Sequence, residues 1–506
     1  MNIIHYFLEA VNAKPNTVAI IENAKQVTYA QFNLSIQKTA AYFKSKGIKK
    51  GDRVMVFVPV STDLYRVVLA LFQIGAIAVF MDEWAGRKRL RDCCRHAQCK
   101  GFIAPFYLRL AGLFIKEIRS IPVKLKAAEQ ATMAYTEVEK MELNDSALVT
   151  FTTGSTSIPK AADRTHGFLQ AQFNALQKYV PVKEQISLTT LPIVMLLNLG
   201  LGKTNVIPAK KMRKPTLFEA GKLITMLQKN KVGSVTASPS FLLKLALNIK
   251  QNNSTNLLVN SYVTGGAALY PQEALLLKQV LPKADMVILY GSTEAEPIAA
   301  CNLNEYLNYH ENNPHFNGIY IGTPVPEIKI QVIKYVDDCI SVQTTEEWRN
   351  KALPLANAGE ICVSGHHVLK HYLFDQAAVL RNKIKVDDQI WHRTGDTGML
   401  METGELLLLG RCKWSFVLKN QALYTYIMEH LLKQFEGVVE AAFFLKTKCY
   451  IILEVKKNFN ELLYRAYLQS VIPVIATAKI NYINKIPKDP RHGSKIDYDK
   501  LYTMLK

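Results

Sequence analysis

No stretch of this sequence is apolar for long enough to cross a bilayer. The longest candidate, Val67 to Phe80, contains Gln73 and is flanked by Arg66 and Asp82. It falls short of the ~20 apolar residues that a spanning helix needs. The opening MNIIHYFLEA lacks a basic segment and carries Glu9 early, so no secretory leader is expected. The eight cysteines form no paired framework, which excludes a disulfide-stapled scaffold and suits a reducing compartment. A soluble, cytoplasmic protein is the expectation. Cys93, Cys94, His96 and Cys99 cluster, but no second ligand pair follows at finger-like spacing. That segment reads as a helix feeding a strand at Gly101 to Ala104, so a structural metal is not expected. His367 and His371 are four apart in a stretch that reads as strand and loop. Internal repeats and low-complexity linkers are also missing.

What is present is ordinary globular composition, 49% hydrophobic and 21% charged, in a chain too long for a single core. The charge is less ordinary. Sixty-two Lys and Arg against 42 Asp and Glu leave a formal +20, which favours acidic partners such as nucleotides, coenzyme A, an acidic carrier protein or an anionic surface. The densest run, Lys210, Lys211, Arg213 and Lys214, reads as a solvated face. No nucleic-acid motif accompanies the charge, so no nucleic-acid partner is expected.

Hydrophobic periodicity gives an α/β chain. Arg53 to Val60 is β-rich, Ser61 can cap a helix with apolar Leu64, Val67, Val68, Leu71 and Phe72, and Ala76 to Met81 is the next strand. Strand, helix and strand in that order predict a parallel sheet covered on both faces. Val232 to Ala237, the Ser238-Pro239 cap and a helix toward Ile249 repeat the pattern. Tyr262 to Thr264 and Met286 to Tyr290 read as short buried strands. After about residue 320 the strands become short and alternating, and the last hundred residues read as a small α+β unit. The expected division is 1–411, a large body of parallel and mixed sheets with helices plus a small β region, and 412–506, a small mobile C-terminal domain.

The run Thr152 to Lys160, TTGSTSIPK, follows a strand and is expected to lead into a helix bearing Leu169, Phe173, Leu176 and Val180. Small hydroxyl residues, a glycine and a lysine can wrap phosphate oxygens with backbone N–H groups and hydroxyls. The run is not a Walker loop, because no second glycine precedes Lys160 and no Ser or Thr follows it.

This run (Thr152, Thr153, Gly154, Ser155, Thr156, Lys160) resembles the phosphate loop of the adenylate-forming superfamily, which includes acyl-CoA synthetases. Further signatures follow in that superfamily's order. Gly265-Gly266-Ala267 resembles its adenine-side loop, and Tyr290-Gly291-Ser292-Thr293-Glu294 its nucleotide and magnesium motif. Gly322-Thr323-Pro324 and Gly359-Glu360-Ile361 resemble its structural signatures, and Thr394-Gly395-Asp396 its ribose motif. Gly410-Arg411 resembles its hinge, with Lys413 at the pivot, and the lysine of HGSKI, Lys495, its C-terminal catalytic lysine. The likeness runs from about Thr28 to the end.

The resemblance implies ATP and Mg²⁺ as cofactors and a small carboxylate as substrate. Carboxylate and ATP are both anions, so cations and oriented N–H dipoles must offset their repulsion. Lys160 and the loop would hold the β- and γ-phosphates, Glu294 would hold Mg²⁺, and Thr293 would bond the α-phosphate. Tyr290 would stack on adenine, Asp396 would accept from the ribose hydroxyls, and Lys495 would bridge carboxylate and phosphate. Leu196, Leu197 and Leu199 are candidates for an apolar acyl pocket. The sequence departs from the family at Ser157 and Ala161 in the loop, usually glycines. Met195 falls near a common histidine, Lys413 where aspartate is usual, and Asn420 at a glycine beside the pantetheine route.

The resemblance implies a fatty acid passed to a thiol of coenzyme A or an acyl carrier protein. VPVSTDL, THGFLQAQ, LPIVMLLNLG, YGSTEAEPIA, ALYTYIME and RHGSKI resemble the olefin β-lactone synthetases more narrowly. There an adenylated 3-hydroxy acid closes on its own hydroxyl, a step that gains from proximity. A non-catalytic nucleotide-binding relative is a third alternative, motivated by the altered loop glycines.

Overall fold

The computed structural model describes the chain except residues 82–85, 113, 153–158, 182, 210–211, 213–219, 253–257, 447, 490–492 and 505–506. The first βαβ unit forms as the periodicity predicts. Arg53–Val56 and Ile77–Phe80 pair in parallel, and the helix Thr62–Gln73 between them starts where the Ser61 side chain accepts from the Leu64 N–H. Every residue from Leu64 to Gln73 is buried, which is why this helix reads as a nearly unbroken apolar run rather than an amphipathic one. Gly75 ends the helix at φ 65°, ahead of the second strand.

That unit belongs to a six-stranded sheet in the order Val123–Lys126, Gly101–Ala104, Arg53–Val56, Ile77–Phe80, Ser146–Thr152, Lys160–Thr165. A nine-stranded mixed sheet runs from Thr323–Pro324 at one edge to Lys25–Thr28 at the other, with Asp285–Ser292, Ser261–Gly265 and Ser234–Ala237 near its middle. Ser238 and Pro239 open the helix Pro239–Gln251 as expected, although the Ser238 side chain makes no capping hydrogen bond. An antiparallel sheet follows, built on Ile328–Ile333, Gly359–Gly365, Gln389–Leu400 and Leu406–Arg411.

Beyond Arg411 the chain makes a tight hairpin, Phe416–Leu418 with Gln421–Leu423. Lys419 and Asn420 turn it at φ 49° and 64°, the left-handed pair that a two-residue hairpin turn requires. Three strands, Val438–Leu445, Cys449–Val455 and Lys479–Tyr482, then pack with the helices Thr425–Lys433 and Glu461–Val471 around Leu432, Phe443, Leu453 and Tyr464. The fold class is therefore the expected one: a large body of sheets and helices and a smaller α+β C-terminal region.

One local expectation is corrected. The Thr152–Lys160 run does not lead directly into a helix. It joins two antiparallel strands, with Thr152 opposite Lys160, and the helix His166–Leu176 begins only after Thr165, whose side chain caps it. Ala161 to Arg164 are buried in that second strand, so pairing with the neighbouring strand wins over helix formation. Val180 lies beyond the helix and its short 3₁₀ extension. Cys93 and Cys94 sit in an apolar cluster with Met55 and Phe102. Among the described residues no helix is long and apolar enough to cross a membrane.

Candidate active site

A cavity of about 810 Å³ is lined by all three large sheets and by the C-terminal region. Of the residues singled out in the sequence, Thr152, Lys160, Gly265, Gly266, Gly291, Ser292, Thr293, Glu294, Arg411, Lys413 and Lys495 line it. They come from positions up to 343 residues apart, Thr152 and Lys495. Thr153, Gly154, Ser155 and Thr156 lie outside the described residues, as do Lys210, Lys211, Arg213 and Lys214.

Strand geometry sets most of these positions. Asp285–Ser292 and Ala295–Asn302 form a hairpin whose turn presents Thr293 and Glu294. The Glu294 N–H donates to Ser292 Oγ at 3.2 Å, and its Oε1 accepts from the Tyr372 hydroxyl at 3.0 Å. Buried Arg164, in the strand after the phosphate-loop run, donates to the Thr293 carbonyl at 3.0 Å. That contact ties the run to the hairpin turn. Gly265 needs to be glycine: a Cβ there would sit 2.5 Å from the Leu289 carbonyl oxygen. Gly266 follows at φ 81°, where side chains are disfavoured.

Tyr290 and Asp396 stand together beside the lining residues Gly395 and Arg411. The Tyr290 hydroxyl donates to Asp396 Oδ2 at 2.8 Å, and Arg411 donates to Oδ1 at 2.7 Å. Burial, and Asp396 after it, push the Tyr290 phenol well above its ordinary range. Asp396 in turn raises the Arg411 guanidinium. Each carboxylate oxygen therefore holds one protein donor and keeps a further lone pair. Tyr290 is 9% exposed, and its hydroxyl is committed to Asp396. The backbone that carries Asp396 is fixed from below. Glu360 and Arg393 form a buried ion pair at 2.7 Å, and Glu360 also accepts from the Gly395 N–H at 3.2 Å.

Lys160 donates to Asn382 Oδ1 at 3.0 Å and lies 5.4 Å from the centre of the Tyr372 ring. Burial lowers its ammonium pKa, and Glu294 partly restores it. The same ring has Lys383 at 5.2 Å. Lys383 is 6% exposed, and its ammonium has no hydrogen-bond partner among the described residues. Burial brings it down to about 7. Neither Tyr372 nor Lys383 was identified in the sequence. Lys383 opens the strand KIKV, where Lys383 is buried and Lys385 exposed, and nothing local distinguishes one from the other.

The C-terminal region reaches the cavity at several points. Ser494 Oγ lies 2.7 Å from Ser240 Oγ of the helix Pro239–Gln251, and the neighbouring Lys495 is among the lining residues. Tyr270 donates to Glu429 Oε2 at 2.5 Å. The Phe316 and His430 rings stack at 3.9 Å. Lys413 pairs with Asp499 at 2.5 Å. One part of the cavity wall is apolar and includes Leu64, Val68, Phe80, Leu196, Leu197 and Leu243. Leu199 is not part of it; it is fully buried in a core cluster with Tyr29 and Phe32.

Glu294 with Lys160, Arg411 and Lys495, sharing a cavity with an apolar stretch of wall, can gather a phosphate-bearing anion and a second, greasier anion. A sheet body with an α+β C-terminal region closing on such a cavity is the architecture of the adenylate-forming enzymes. Residues 7–373 match the AMP-binding enzyme family, and the chain belongs to that family. It is 24% identical to an olefin beta-lactone synthetase of Stenotrophomonas maltophilia, covering 94% of this chain and 90% of that protein. It is 23% identical to 4-coumarate–CoA ligase 3 of Arabidopsis thaliana, covering 96% and 87%. The fold is similar to that of ATP-bound MatB from Rhodopseudomonas palustris, with a TM-score of 0.82 at 17% identity over 100% of this chain and 99% of that one.

Proposed function

We propose that this enzyme activates an apolar, fatty carboxylic acid as its acyl-adenylate, using ATP and releasing pyrophosphate. The observation that carries the proposal is the continuity of one cavity. Apolar Val68, Phe80, Leu196 and Leu243 share it with Lys160, Glu294 and Lys495, so an acyl chain and a triphosphate can meet at their charged ends.

Lys160, with the hydroxyl-rich run preceding it, neutralises the β- and γ-phosphates. Asp396 accepts from the ribose hydroxyls with the lone pairs that Tyr290 and Arg411 leave open. Thr293 bonds the α-phosphate. Lys495 neutralises the carboxylate as it approaches the α-phosphorus, so that attack is not opposed by charge. The donor set fits Mg²⁺: Glu294 is a single hard carboxylate with one oxygen oriented by Tyr372, and Mg²⁺ takes its other ligands from phosphates and water. When bound, the ion screens the charge that develops on the departing pyrophosphate.

Residues 412–506 act as a mobile domain that pivots at Lys413, bringing Lys495 in for adenylation and withdrawing it afterwards. The enzyme works in the cytoplasm, and the acyl group passes to a thiol of coenzyme A or an acyl carrier protein, as the likeness to a CoA ligase supports. A second reading, closure of a 3-hydroxy acid to a β-lactone, is favoured by the likeness to an olefin beta-lactone synthetase. Asn420 also favours it: the left-handed backbone is kept at φ 64°, and asparagine adds a side chain where the family resemblance implies a glycine beside the pantetheine route.

ATP–pyrophosphate exchange with a panel of carboxylic acids tests the first half-reaction, and mass spectrometry with and without thiols the second. Exchange driven by long-chain acids is expected. ATP binding with no exchange for any acid would make this a non-catalytic relative and defeat the proposal.

A further inference from the structure

Residues 86–119 carry nine Lys and Arg against two acidic residues, a net +7 within a chain of +20. The segment contains the helices Arg87–Ala97, Phe106–Gly112 and Lys116–Arg119. All three pack on one face of the six-stranded sheet: Leu90, Cys93 and Ala97 of the first and Ile118 of the last share a buried cluster with Phe102, and Leu108 packs against it. Arg95 and Glu117 tie the first helix to the last at 2.7 Å.

The outward side of this layer departs from an ordinary charged surface. Phe106 is 67% exposed, Tyr107 59%, Leu110 46% and Phe114 87%. Four large apolar side chains within nine residues face water, and Arg109 lies over the Phe106 ring at 5.8 Å. Lys88, Arg91, Lys116 and Arg119 of the same layer are exposed as well. A solvated face needs the cations but not the aromatics, and a core needs the aromatics but not their exposure. Aromatic rings rimmed by cations on short surface helices suit the boundary between lipid headgroups and acyl chains.

We infer that the face formed by residues 86–119 docks the enzyme on an anionic phospholipid bilayer. The aromatic side chains enter the interface, while the basic rim is drawn to the lipid phosphates. An acidic protein would complement the charge but would leave four apolar side chains unused, so the bilayer accounts for more of the surface. The inference is independent of which acid the enzyme activates.

Flotation of the full chain with vesicles tests it. Binding to an equimolar phosphatidylcholine–phosphatidylglycerol mixture is expected, with little on phosphatidylcholine alone, and with loss at high salt as screening removes the electrostatic attraction. A Phe106→Ser/Tyr107→Ser/Phe114→Ser variant should bind the mixed vesicles at least ~10-fold more weakly, with an unchanged melting temperature because the three side chains face solvent. Lys88→Glu/Arg91→Glu leaves the aromatics in place and should weaken binding to mixed vesicles too, which keeps the test decisive if the first variant misfolds. Wild-type binding that ignores both sets of changes would overturn the inference. So would failure to float with mixed vesicles, or capture by soluble polyglutamate in place of them.

Discussion

Tyr372 donates its hydroxyl to Oε1 of Glu294 across 78 positions of sequence, at 3.0 Å. Its ring is also faced by Lys160 and Lys383, so one side chain orients Glu294 and lies against two lysines. Tyr372→Phe removes the hydroxyl and keeps the ring. A hydrogen bond to a charged group contributes roughly 1.5–3 kcal/mol, so pyrophosphate exchange should fall ~10-fold or more, and the Mg²⁺ concentration at half-maximal exchange should rise. Unaltered Mg²⁺ dependence would show that Glu294 needs no such orientation.

Lys383 is a buried ammonium whose pKa falls to about 7 from an ordinary 10.5 because burial disfavours its charge. With the folded value depressed, the unfolded chain holds more protons between those two values, and stability rises with pH across that window. The destabilisation is complete below about 7 and is relieved as pH approaches 10.5. Lys383→Met should therefore stabilise the ligand-free protein more at acidic than at alkaline pH, by denaturant unfolding. Equal stabilisation at both ends of the window would contradict the burial of a charge.

Lys495→Ala should reduce acid-dependent exchange by ~100-fold or more and leave ATP binding intact, because the remaining phosphate contacts are on the body of the enzyme. Calorimetric titration of ATP alongside the exchange assay separates the two effects. Undiminished adenylation in this variant removes Lys495 from the reaction.

Glu429 joins the two parts of the chain. Its carboxylate accepts from Tyr270 of the body and from Tyr498 of its own region. Burial raises it to about 7 from 4.5, against the pull of Lys433, with Glu440 and Tyr426 also nearby. On the proposal that residues 412–506 swing away, a raised carboxyl pKa means that the docked pose holds a proton which the undocked pose gives up. Docking should be firmest below 4.5 and weaken as pH rises through about 7. Glu429→Gln should flatten that dependence, read as protease sensitivity of the C-terminal region against pH. An unchanged profile in the variant would assign the pH dependence to another group.

Much of this molecule is visible in its residues. Apolar runs with a serine cap and a glycine after the helix specify the βαβ unit from Arg53 to Phe80, since helix hydrogen bonds and caps are local and burial follows periodicity. The Thr152–Lys160 run was legible as a phosphate-binding candidate for its composition. Its setting in a β-hairpin was not, because Ala161 and Ala162 suit either conformation, and only the neighbouring strand decides between them. Leu196, Leu197 and Leu199 are chemically alike, yet the first two line the cavity and the third is core. A helix sends neighbouring residues in different directions, and what each meets depends on distant segments.

The class of enzyme is readable from the order of residues alone, because the chemistry of joining two anions demands particular side chains, and those recur in a fixed order. Tertiary structure alone decided that Tyr372 orients Glu294, that Lys383 rather than Lys385 is buried, and that Phe106 and Phe114 face outward among cations. Those facts rest on contacts between segments far apart in the chain, where burial and charge are set by neighbours that no local pattern encodes.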